Sequence, residues 1–226
     1  MTLKVLHTSD IHGKYKRILK SGLDFDVWLD TGDWFDNVGR VHKTGGMIIP
    51  EVEARQQQRW LGWKQLGRRI TEWLDGRPVI LLPGNHDFIS LAGHLRSVGC
   101  PNVHAITPDG VEVAGLKWAG FREIPRIADE WMGEVEEPSF APLIQQTLSS
   151  KPDVLVTHAP PAGILDDAGV SGYGINPLTT ALADQPHDIK WHFFGHEHAD
   201  GGKQVEEMGI KFHNGAAHVL VHELGV

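Results

Sequence analysis

The chain has 226 residues, 41% of them hydrophobic and 22% charged, and a formal net charge of −8, values that point to one folded domain spanning residues 1–226. The acidic balance disfavours nucleic-acid backbone and anionic membrane as partners, and a lone cysteine, Cys100, excludes an intrachain disulfide. No apolar run approaches a membrane span, and the opening MTLKVLHTSDIHG lacks the apolar stretch of a signal peptide, so a cytoplasmic protein is expected.

Apolar runs and helical stretches alternate along the chain, which favours an α/β fold. Leu3–Thr8 reads as a first strand, Val27–Thr31 as a second and Val79–Leu82 as a third. Between the last two, Trp60, Trp63, Leu66, Ile70, Trp73 and Leu74 recur mostly at spacings of three and four, predicting one long helix over Glu51–Asp75. The Gly-rich stretch Val38–Pro50 before it reads as a loop. Phe88–Val98 reads as a helix ending at Gly99, and Val111–Gly120 as a hairpin partner or edge strand. Helices are predicted at Phe140–Leu148 and Pro177–Leu182, with a Gly-rich loop at Pro160–Gly174. Val154–Thr157 and Trp191–Phe194 read as buried strands. Ile210–Asn214 and His218–Glu223 are expected to close the chain as paired strands.

Polar clusters follow directly on five of these strands. Asp10-Ile11-His12 follows the first, Gly32-Asp33 and Asp36 the second, and Gly84-Asn85-His86-Asp87 the third. His158 follows Val154–Thr157, and Gly195-His196-Glu197-His198 follows Trp191–Phe194. Taken singly, each has an ordinary explanation: Gly-Asp is a common turn or cap, and a lone His more often sits in a core. His-x-His on an extended segment puts both rings on one face. Carboxyl ends of strands line one crevice in open α/β sheets, so clusters far apart in sequence can share a site. Imidazole, carboxylate and amide oxygen together suit Mn, Fe, Zn or Ni rather than Ca. A carboxylate such as Asp33 could bridge two ions about 3.5–4 Å apart.

The order D-x-H, G-D-x-x-D, G-N-H-[DE], H, G-H-x-H resembles the calcineurin-like metallophosphoesterase superfamily. The blocks run from residue 10 to residue 198. The resemblance implies a four-layer α/β (α+β) sandwich of two mixed sheets flanked by helices. It implies that Asp10, His12 and His198 hold one metal, that Asn85, His158 and His196 hold the second, and that Asp33 bridges. It further implies that His86 is a general acid rather than a ligand, that Asp87 holds and polarises it, and that Asp36 partners a ligand. The other nine histidines (His7, His42, His94, His104, His187, His192, His213, His218 and His222) are read as structural, with His42 the best exception. His213 and Asn214 could support the site.

Sister families differ in detail. Ser/Thr phosphatases carry Arg-Gly where Asn37-Val38 stand, and lipid A precursor hydrolases carry Arg in place of His86. Mre11-like nucleases add a capping domain. Thr157-His158-Ala159-Pro160-Pro161 is similar to the H-x-P-P block of cyclic-nucleotide-phosphodiesterase-like members, including the MPPED-type subfamily. The expected activity is therefore phosphodiester hydrolysis by attack of a metal-bridging hydroxide, with Mn the metal expected to serve in vitro. The expected substrate is a small phosphate ester, a nucleotide among the candidates. Phosphomonoester hydrolysis is the alternative, followed by a non-catalytic scaffold of the same fold. Nucleic-acid processing would use Arg55, Arg59, Arg68 and Arg69 as a basic stripe, against the simpler reading of a solvated helix face. Substrate choice is expected from Asn37–Pro50, Gly120–Arg126 and Ala159–Gly174.

Overall fold

A computed structural model describes residues 2–36, 48–167 and 173–225. The first sheet is built from β1 (Thr2–Thr8), β2 (Val27–Asp30), β3 (Val79–Leu81) and β4 (Val103–Ala105), all parallel, with β13 (Val219–Gly225) antiparallel to β1. The second sheet runs β11 (Gln204–Glu207), β12 (Ile210–Asn214), β10 (Trp191–Phe194), β9 (Val154–Thr157), β6 (Leu116–Phe121), β5 (Val111–Val113). Its inner strands are parallel and its two edges antiparallel. A two-stranded parallel ribbon, β7 (Ile124–Pro125) and β8 (Glu134–Val135), sits beside it.

The central strands are largely apolar because both of their faces are buried. Val5, Val27, Leu29 and Ile80 of the first sheet meet Trp118, Val154, Val156 and Phe193 of the second across the interior. On the outer face of the first sheet, Leu6, Trp28 and Val79 pack with Leu61, Ile70 and Leu95. These last three belong to α2 (Pro50–Lys64), α3 (Leu66–Leu74) and α4 (Leu91–Ser97). Leu155, Phe194 and Phe212 of the second sheet pack with Phe140, Ile144 and Leu178, supplied by α5 (Phe140–Ser149) and α6 (Asn176–Asp184). The layers therefore run helix, sheet, sheet, helix, as expected. The remaining short helix, α1, covers Lys16–Leu19. Among the described residues no helix is long and apolar enough to cross a membrane.

Three expectations need correction. The long helix is two: Gln65 turns left-handed at φ 49° between α2 and α3. Gly62 weakens the helix just before that point, and the turn re-aims Leu66, Ile70 and Leu74 at the core. It also divides the proposed arginine stripe: Arg55 and Arg59 stay on α2, Arg68 pairs with Glu72 at 2.8 Å, and Arg69 donates to the Tyr15 hydroxyl. The helix expected from Phe88 starts only at Leu91, because Ser90 caps it by accepting from the Gly93 amide at 3.0 Å. The last two strands do not pair with each other. β12 lies between β10 and β11, whereas β13 joins β1 in the other sheet. The link between them, residues 215–218, crosses from sheet to sheet beside Ser9. Strands β4, β7, β8 and β11 were not anticipated; each is short or only half-buried. The Val38–Pro50 loop and His42 fall largely or wholly outside the described residues.

At one side the sandwich interior turns polar. His7, His213 and His222 surround Phe193, and the His213 and His222 rings lie 4.3 Å apart. His213 and His222 line a cleft of about 480 Å³ between β11–β12 and β13. Burial, with mutual repulsion, lowers the proton affinity of His213 to about 3, burial lowers that of His222 to about 4, and burial, then His222 and His213, holds His7 well below the usual imidazole range. Unfolded imidazoles protonate near 6.5, so below that pH the unfolded chain binds more protons. Stability is full above pH 6.5 and is lost as the pH falls toward 4. The expected slope is about 1.4 kcal/mol per pH unit for each ring kept neutral. Urea midpoints at pH 7 and pH 5 test this, and His213→Phe should flatten the difference.

Candidate metal centre

β1, β2 and β3 of the first sheet and β9 and β10 of the second all end on the same side, and each sequence cluster sits in the loop that follows. The β1 and β2 loops are zipped together: the Asp10, His12 and Gly13 amides donate to the Gly32, Asp33 and Trp34 carbonyls at 2.8, 3.1 and 2.9 Å. That path forces Asp10, His12 and Asp33 into left-handed backbone at φ 52°, 42° and 56°, and His196 sits at φ 67°. Such conformations cost non-glycine residues roughly 1–2 kcal/mol each, and they cluster here in the loops that aim these side chains inward.

The motif glycines make room. A Cβ on Gly84 would stand 2.2 Å from Asp33 Oδ1, and one on Gly195 would stand 2.3 Å from Asp10 Oδ2. Only a residue without a Cβ permits those approaches.

Asp10 is buried. Its Oδ2 accepts from the Ser9 hydroxyl at 2.6 Å and the His196 amide at 2.8 Å, while Oδ1 lies 3.2 Å from His198 Nε2. Burial, the largest influence, would raise its proton affinity, but the contacts with His198, His158 and Ser9 together hold it below the usual carboxylate range. Asp33 is equally buried. Its Oδ1 accepts the His86 amide at 2.7 Å, and Oδ2 lies 3.5 Å from His158 Nε2 and 3.8 Å from His86 Nε2. Burial again opposes its charge, and His158, His86 and His12 together hold the carboxylate ionised.

His158 is fully buried, with Nδ1 2.8 Å from the Thr31 carbonyl. That nitrogen must donate, which leaves a lone pair on Nε2 when the ring is neutral. The lone pair faces Asn85 Oδ1 at 2.9 Å as well as Asp33 Oδ2. Asn85 Oδ1 in turn faces His196 Nδ1 at 3.1 Å. His196 can donate to Asn85 Oδ1 through its Nδ1–H tautomer, but the His158 Nε2 lone pair and the two oxygens it faces repel unless a positive charge lies among them. A proton is one solution: although burial works against it, Asp33, Asp10 and the Thr31 carbonyl raise His158 to about 9. A divalent ion is the other, and the donor set fits one. Donor atoms of Asp10, His12 and His198 lie within 4.8 Å of one another, as do those of Asp33, His158 and His196. His12, Asp33 and His86 form a third such group, so spacing alone does not separate His86 from the other imidazoles.

Residues 3–200 match the family model for the calcineurin-like phosphoesterases. The chain belongs to the calcineurin-like phosphoesterase family. The family usually uses a dinuclear metal centre, and the Asp and His groups above could bind metal. Three solved structures share the fold of this calcineurin-like chain. One crystal structure superposes with a TM-score of 0.69 at 16% identity, covering 96% of this chain and 91% of the other. TT1561 of Thermus thermophilus gives 0.59 at 14% identity, covering 94% and 88%. The phosphopantetheinyl hydrolase PptH from Mycobacterium tuberculosis gives 0.52 at 15% identity, covering 95% and 89%. No curated protein sequence matches the chain.

Two side chains of the calcineurin-like motif are placed otherwise than the resemblance implied. Asp87 does not direct its carboxylate at His86. Oδ2 accepts from the Asp33 and Gly84 amides at 2.9 and 2.8 Å, and Oδ1 from the Phe35 amide at 3.0 Å. It staples the β2 loop to the β3 loop. Burial, then Asp33, raises its proton affinity to about 6, while burial lowers that of His86 rather than raising it. Asp36 is exposed, and among the described residues its carboxylate bonds to none of the candidate ligands.

Several supporting residues carry no family signature. Gln57 of α2 donates to the His86 carbonyl at 2.7 Å and accepts the Phe88 amide at 2.9 Å. Arg122 Nη2 donates to the Gly84 carbonyl at 2.6 Å. It follows β6, so the rule that site residues follow strands could have found it. Asn214 donates to the Glu197 carbonyl at 2.8 Å and so holds the His196–His198 loop, whereas its neighbour His213 stacks on Phe193 instead.

Proposed function

We propose that this chain is a metal-dependent phosphodiesterase. The observation that carries the reading is the packing of acceptors around Asp33 and Asn85, which a proton or a cation must relieve. In this reading Asp10, His12 and His198 would hold one ion, Asn85, His158 and His196 would hold the other, and Asp33 would serve as a ligand to both. When bound, such a pair supplies a hydroxide nucleophile and neutralises phosphoryl charge. The chain's own residues do the rest. The Thr31 carbonyl fixes the His158 tautomer, Ser9 and the His196 amide hold Asp10, and the Asp87 staple fixes the loop that carries Asp33. His86 donates a proton to the departing oxygen as the phosphorus–oxygen bond breaks. Mn is the metal expected to support turnover in vitro.

The fold shared with a protein named a phosphopantetheinyl hydrolase supports hydrolysis as the reaction. The His158-Ala159-Pro160-Pro161 block, similar to that of cyclic-nucleotide-phosphodiesterase-like and MPPED-type proteins, supports a diester, with a small phosphate ester such as a nucleotide as substrate. The shared interior core supports one domain over residues 1–226. In Mn²⁺, turnover of bis-p-nitrophenyl phosphate is expected to exceed that of p-nitrophenyl phosphate. A strong monoester preference would replace this reading with a phosphatase. Protein that holds no transition metal and gains no activity in Mn²⁺ would leave the scaffold reading.

A further inference from the structure

We infer that Trp131 is a positioning residue for His86. Its indole stacks on the His86 imidazole, with ring centroids 4.3 Å apart at 30°. From another direction His12 meets the same imidazole edge-on at 4.8 Å and 73°. The backbone of His86 is pinned as well, its amide by Asp33 Oδ1 and its carbonyl by Gln57 Nε2, each at 2.7 Å. With the main chain fixed, the side-chain torsions are the freedom left to the ring, and a flat aromatic face restricts them without taking a ring proton.

The segment that delivers Trp131 is itself built. One carboxylate, Glu134 of β8, accepts the amides of Ile127, Ala128, Asp129 and Trp131 at 2.9, 2.9, 2.6 and 3.0 Å. Arg126 forms ion pairs with Asp129 and Glu136. The Met132 amide donates to the Asn85 carbonyl at 3.2 Å, and the Ile124 amide to the Gly133 carbonyl at 2.9 Å. The bracket is thus fastened directly to the loop that carries Asn85 and His86. Trp131 is part-buried, and among the described residues it lies outside the three apolar core clusters.

This role rests on the phosphoesterase reading. There His86 Nε2 gives its proton to the leaving-group oxygen while that oxygen parts from phosphorus, releasing an alcohol or phenol. Precise placement matters most when the leaving group is poor. A good leaving group departs as the anion with little help, so a displaced His86 costs it little.

The test compares Trp131→Ala, Trp131→Leu and Trp131→Phe on phenyl and p-nitrophenyl phosphate esters at saturating Mn²⁺. For Trp131→Ala, kcat on the phenyl ester should fall about 10- to 100-fold, with KM and metal content near wild type and the p-nitrophenyl rate reduced far less. Trp131→Phe should restore most of the loss because it keeps a flat face. If Trp131→Ala does not fold, Trp131→Leu, which retains bulk without that face, should show the same leaving-group dependence. Equal losses on both esters, or a rise in KM with kcat unchanged, overturn the positioning role alone. A metal-loaded wild type that hydrolyses neither ester overturns the phosphoesterase reading and this role together.

Discussion

Asp33→Ala is expected to strip metal from both positions and abolish turnover, whereas His86→Ala should keep its metal and lose only turnover. The contrast follows from where the atoms stand. Asp33 Oδ2 lies 3.5 Å from His158 Nε2, and its Oδ1 holds the His86 amide at 2.7 Å. Removing it takes away the carboxylate that clusters with the donor atoms of His158, His196 and His12 and frees the loop that carries Asn85. His86 sits farther out, 3.8 Å from the same carboxylate, with its side chain 24% exposed. A proton donor at that position contributes roughly 10²- to 10⁴-fold in rate, so His86→Ala should fall by about that factor. Elemental analysis of the purified variants, alongside kcat in Mn²⁺, separates the two roles. Equal metal loss in both would place His86 among the ligands, as its membership of the group with His12 and Asp33 also permits.

Asp87→Ala is expected to be a stability variant before it is an activity variant. Three buried amides, those of Asp33, Phe35 and Gly84, donate to this one carboxylate. Each buried donor left without a partner costs roughly 1–3 kcal/mol. The loss is partly offset, because a buried charge close to Asp33 also disappears. A net loss of about 3 kcal/mol in urea unfolding is expected, together with weaker metal retention as the β2 and β3 loops separate. Asp87→Asn should not rescue fully. With its oxygen placed for the Asp33 and Gly84 amides, its NH₂ would face the Phe35 amide, donor against donor. Had Asp87 served only to polarise His86, Asp87→Ala would lower kcat while leaving the urea midpoint and the metal content alone. That pattern would overturn the staple.

The location of the site was legible because of a rule of topology. Clusters that follow parallel strands end up at one edge, and Asp10, Asp33, Asn85, His158 and His196 all do. The rule holds across two sheets here, since β9 and β10 lie in a different sheet from β1, β2 and β3. Trp131 and Gln57 were not legible. Neither follows a strand of the two large sheets, and a tryptophan shortly before a Gly or a glutamine on a helix is ordinary in sequence. Their roles depend on a three-dimensional approach to His86. The helix break at Gln65 was hidden for a related reason: the apolar spacing continues through it, and only packing against the sheet shows that one straight axis cannot serve both halves.

The sequence alone determined the family, the α/β layering and which residue types could meet a metal. These are written in local patterns: apolar runs that must be buried on both faces, and polar blocks placed directly after them. Tertiary structure alone decided how those blocks are held. Asp87 staples two loops rather than polarising His86, β13 crosses to the first sheet, and Trp131 reaches His86 from a ribbon beside the second sheet. Hydrogen-bond partners and ring contacts join residues tens of positions apart, and no local pattern encodes which distant amide a carboxylate will accept.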